Sequence, residues 1–145
     1  MDELATKQLG PEMFRRLDEK DDSVFYTVPR KLVHIDQGAI DAAAECIGRI
    51  FPDHGSYLDL MSSWRSHLPE EFATNKVVGL GLNAEEMADN PDLDTYVIHD
   101  LNKSPRLPFP DAHFDGIFIT VSIQYVTCLL YTSDAADDTP CVDLG

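Results

Sequence analysis

A chain of 145 residues, 43% of them hydrophobic, has the size and composition of one globular domain with its own core. Its formal charge of -15, with only 11 Lys and Arg, argues against a nucleic-acid surface, because phosphate binding requires clustered cations. No apolar run approaches the roughly 20 residues of a membrane span, and the first residues lack the basic flank and apolar core of a signal peptide; a cytoplasmic location with no membrane partner is expected.

Residues 1–34 read as a polar N-terminal extension, in which Asp18-Glu-Lys-Asp-Asp22 is a solvated segment and a short helix is expected over residues 12–17. Val24-Phe-Tyr-Thr-Val28 reads as extended. From Gln37 to Phe51 the apolar positions Ile40, Ala43, Ala44, Ile47 and Ile50 recur at helical spacing; Asp36 is the expected N-cap, and Pro52 and Gly55 mark the stop. Tyr57 to Met61 is a short apolar run suited to a buried parallel strand, with Asp59 its one charge. A turn or helix start follows over residues 62–68, ended by Pro69.

Val77 to Leu82 gives a second strand about twenty residues later, near the repeat of a βαβ nucleotide-binding unit. Asn83 is placed to cap a helix carrying Ala84-Glu-Glu-Met-Ala88, and Tyr96 to His99 gives a third strand. The three prolines between Asp100 and Asp111 require a loop, and Gly116 to Ser122 is the most β-rich run of the chain. Residues 128–145 supply no helix to follow that strand and resemble translated sequencing adapter, so native sequence is expected to end near Thr127. The three cysteines show no paired spacing, which speaks against a disulfide framework or a zinc site.

The order of strand, acid, second strand, Asp100-Leu101 and Leu107-Pro-Phe-Pro-Asp-Ala-His-Phe-Asp115 resembles class I S-adenosylmethionine-dependent methyltransferases, the type 11-like set in particular. The resemblance covers residues 35–127. It implies an α/β fold, a partial Rossmann-like sheet of about four parallel strands with flanking helices, representing the first half of such a domain. Members usually carry glycines in the turn after the first strand, where the backbone must approach the cofactor closely; here Met61, Ser63 and Arg65 stand at those positions. Gly81 stands where an acidic residue would bind the ribose.

The implied cofactor is S-adenosylmethionine, with Asp59, Met61, Ser62, Asn83, Asp100 and Leu101 as its binding residues. Asp59 would take the cationic amine or order the loop amides, Ser62 and Ser63 a carboxylate, Asn83 the ribose hydroxyls, and Asp100 with Leu101 the adenine. Ser122, Gln124 and Tyr125, after the fourth strand, are the weaker substrate candidates, and no catalytic residue is assigned. The reaction would be methyl transfer to a small-molecule acceptor, which needs alignment more than side-chain chemistry and no metal. A chain ending after four strands would leave a sheet edge uncovered and be inactive as a fragment. The alternative is a non-catalytic binding or scaffold domain of the same fold.

Structural roles compete at several of these positions. Asn83 serves equally as an N-cap, Gly79 and Gly81 as close-packing positions, Asp115 as a turn residue, and Trp64 as a core or lid aromatic. His34 and Asp36 share a face if extended, and Glu85-Glu86 read as solvated helix-start charges.

Overall fold

The computed structural model describes residues 21–126. The expected helix over residues 12–17 and the tail from residue 128 lie outside them. Helix α1 (Asp22–Phe25), helix α2 (Gln37–Ile50), strands β1 (Gly55–Leu60) and β2 (Thr74–Gly81), helix α3 (Ala84–Ala88), and strands β3 (Thr95–Ile98) and β4 (Gly116–Phe118) follow in chain order. A single turn of 3-10 helix closes the series at Ile123–Tyr125.

The four strands form one all-parallel sheet in the order β3-β2-β1-β4. This is a partial Rossmann-like α/β fold, in which the chain returns to β1 from its other side for the fourth strand. Burial follows that order. The central strands are continuously buried over Tyr57–Leu60 and Val77–Gly81, whereas Ile98 on β3 and Ile117 on β4 stay exposed at the edges.

Strand alternation divides the core into two faces. Leu58, Leu60, Val78 and Leu80 point to one face, where Leu101, Leu107, Phe109 and Phe114 from the proline-rich loop cover them. Tyr57 points to the other, packed with Ile47 of α2 and Phe118. The rings of Phe51 and Phe72 stack on Tyr57 at 5.3 and 5.4 Å between centroids, a large buried area in offset aromatic contact. Helix α2 begins where its sequence signals it: Asp36 accepts from the Ala39 amide at 2.9 Å.

Several expectations need correction. Val24-Phe-Tyr-Thr-Val28 is not extended: α1 and the turn after it are closed by Val24 N–H to the Asp21 carbonyl and by the Thr27 hydroxyl to the Val24 carbonyl, local bonds that override the β propensity. No helix forms over residues 62–68; His67 lies at φ 56° and Pro69 blocks propagation. Met61 is not the last strand residue but the turn, at φ 58°. The fourth strand stops at Phe118: among the described residues it pairs with β1 alone, where Phe118 pairs with Asp59 one residue before β1 ends, and Val121, at φ 64°, then turns the chain away.

Candidate functional site

The connection from β1 to β2 lacks a helix, and this decides how the site is built. In its place an irregular loop folds back over the carboxyl ends of the two strands. It fits because β2 carries no side chain there: a Cβ on Gly81 would lie 2.4 Å from the Ser62 carbonyl oxygen, and one on Gly79 would lie 3.2 Å from the Ser62 hydroxyl. The Ser62 amide continues the sheet by donating to the Leu80 carbonyl at 2.8 Å. Gly81 therefore packs against the loop, and Gly79 lies between the Ser62 hydroxyl and the Leu93 side chain, whose Cδ1 a Cβ would meet at 2.5 Å.

Beneath the loop, Asp59 is almost fully buried. One of its carboxylate oxygens accepts from the hydroxyls of Ser62 and Ser66, each at 2.6 Å. Burial raises its pKa to about 7; the two serine bonds oppose that shift and Asp92 adds to it. The Asn90 amide nitrogen donates to the Ser66 hydroxyl and to the Ser63 carbonyl, both at 2.9 Å, which ties the loop to the residues after α3.

Glu86, expected as a solvated helix-start charge, is instead a second buried carboxylate. Its oxygens accept from the Ser63 hydroxyl at 2.7 Å and from the Arg30 amide at 2.5 Å, so it clamps the β1–β2 loop to the segment before α2. Asn83 caps α3 by accepting from the Glu86 amide at 3.0 Å, and its amide nitrogen donates to the Tyr26 carbonyl at 2.8 Å. The Trp64 indole donates to the Leu32 carbonyl at 3.2 Å. An apolar helix period could not reveal Glu86; the nearest signal was its position three residues after the N-cap, where a carboxylate is common.

These contacts enclose a cavity of about 410 Å³ over the carboxyl ends of the strands. That is the size of a small-molecule site and the place where open α/β sheets bind ligands. Asp59, Met61, Ser62, Asn83, Asp100, Leu101, Ser122, Gln124 and Tyr125 all line it, drawn together from the ends of all four strands. Residues between Phe25 and Ile35 form a further wall.

Most of these polar groups already have partners within the chain. Asp100 accepts from the Asn102 amide at 3.0 Å and faces the Lys103 ammonium at 3.8 Å. Ser122 donates to the Thr120 carbonyl and Gln124 to the Val121 carbonyl. Leu101 packs on the core and supplies an apolar wall. The atoms assigned to ribose are engaged as well, Asn83 at both ends of its amide, and the Gly81 position is closed by the Ser62 carbonyl. His34 lines the cavity, while Asp36 is committed to capping α2. Asp115 bonds the Ser56 amide at the opposite end of β1, away from the cavity.

Sheet order defines a partial Rossmann-like α/β domain, with a cavity over its strand ends. No family model, curated protein or solved structure matches the chain. Among the described residues no group of His, Cys, Asp and Glu could hold a metal ion, and no helix is long and apolar enough to cross a membrane.

Proposed function

We propose that the chain carries the cofactor-binding half of an S-adenosylmethionine-dependent methyltransferase acting on a small molecule. The observation that supports this best is the cavity at the boundary between β1 and β4, where the order of the parallel strands reverses and where Asp100-Leu101 meets Met61–Ser63. In this reading Leu101 forms the adenine wall and Asp100 accepts from the exocyclic amine, while Met61 and Ser62 border the amino-acid end. Bound S-adenosylmethionine would supply an activated methyl group; the chain would supply orientation and exclusion of water.

The ribose end is the weak point of the fit. Asn83 reaches the ribose only by giving up a cap bond or its bond to Tyr26. That observation favours the second reading, a non-catalytic binding domain of the same fold. Isothermal titration with S-adenosylhomocysteine separates the two. The methyltransferase reading expects a Kd below about 1 mM, weakened several-fold by Asp100→Ala. No heat at millimolar ligand, with the fold intact by circular dichroism, leaves only the second reading.

A further inference from the structure

The cavity is asymmetric in its hydrogen-bonding capacity. Its carboxylates are engaged internally: Asp59 by Ser62 and Ser66, Glu86 by Ser63 and Arg30, Asp100 by Asn102 and Lys103. Its two guanidinium groups are not. Arg30 and Arg65 both line the cavity and are exposed, and neither has a carboxylate within ion-pair distance among the described residues. The chain's abundant acids pair instead with Lys31 and Lys103.

Each arginine lies over an aromatic ring, Arg30 at 3.8 Å from the Phe25 centroid and Arg65 at 4.8 Å from that of Trp64. Such stacking occupies the face of the guanidinium and leaves its N–H edge free for a planar, two-oxygen acceptor. The two stacks belong to one rim. Glu86 bonds the Arg30 amide with one oxygen and Ser63 with the other, and the Trp64 indole bonds the Leu32 carbonyl. No helix N-terminus follows β1 to receive an anion, so these arginines supply the local positive charge.

We propose that this rim binds a planar anion, an aromatic or heteroaromatic carboxylate, with its carboxylate between Arg30 and Arg65 and its ring beside Phe25 and Trp64. Its role as methyl acceptor rests on the reading given above; the binding site itself does not. A chain of net charge -15 repels anions at long range, so recognition here depends on these two side chains and on salt that screens the remainder.

The test uses the full chain at about 0.15 M salt, where charges beyond about 8 Å are largely screened. Benzoate and its neutral isostere benzamide are titrated by calorimetry and followed by the fluorescence of Trp64, the chain's single tryptophan. Benzoate is expected to bind at least about tenfold more tightly than benzamide, as charge-assisted bidentate bonds require. The preference should vanish in Arg30→Gln/Arg65→Gln and be partly retained in Arg30→Lys/Arg65→Lys, both exposed-site variants whose folding is checked by circular dichroism. Equal affinity for the two probes, a preference unchanged in the glutamine variant, or no binding of benzoate would each overturn the proposal. A parallel titration with S-adenosylhomocysteine keeps the readings apart. Cofactor binding without benzoate binding sinks only the anion site, and the reverse sinks only the methyltransferase.

Discussion

Asp59 is a carboxylate that burial holds close to neutrality, and this gives the fold a defined pH dependence. Its pKa is higher in the folded chain than in the unfolded one, so folding takes up a proton between the two values. The stabilisation is complete below the ordinary value of 3.8 and is lost as pH rises through about 7. Asp59→Asn removes that dependence. Thermal melts of the variant should match the parent near pH 4 and exceed it at pH 8, and a variant less stable than the parent at pH 8 would show that the ionised form is the one the serines hold. Met61 makes a different point. The turn after β1 requires a left-handed backbone, a conformation glycine adopts without penalty, and Met61 takes it at φ 58°. Its side chain packs on the core, so the comparison that isolates the backbone is Met61→Gly against Met61→Ala. The glycine variant should be the more stable by about 1 kcal/mol in chemical denaturation, because only alanine keeps the left-handed penalty.

The strands and α2 were legible because each announces itself locally. Helix α2 has its cap at Asp36 and its apolar spacing, and β1 and β2 have continuous apolar runs. The connection after β1 was not legible in the same way. Ser62, Ser63 and Ser66 look like a helix start, and their actual roles, holding Asp59 and Glu86, depend on residues far along the chain. Val24–Val28 misled for a related reason: β-branched composition says nothing of the Asp21 and Thr27 bonds that close the turns. The candidate site residues share one cavity because they sit at or after the carboxyl ends of strands, positions that strand prediction itself supplies. Gly81 shows the coupling between elements. Gly81→Ala places a methyl against the Ser62 carbonyl, a backbone atom that moves only with the loop. It should cost about 1–3 kcal/mol and enhance amide exchange in residues 62–66, whereas unchanged exchange there would separate the loop from β2.

For the whole molecule, the sheet order, the loop closed over Gly79 and Gly81, and the segment clamped by Glu86 together make one cavity at the strand ends. The two edge strands expose Ile98 on one side and Ile117 on the other, apolar surface that bears on association between molecules. The cofactor site proposed for this cavity has one direct test. Amide chemical-shift mapping with S-adenosylhomocysteine tests it most directly. Perturbations are expected to concentrate at residues 61–63, 100–101 and 122–125. Shifts absent at saturating ligand, or confined to the opposite end of the sheet around Ser56 and Asp115, would contradict it.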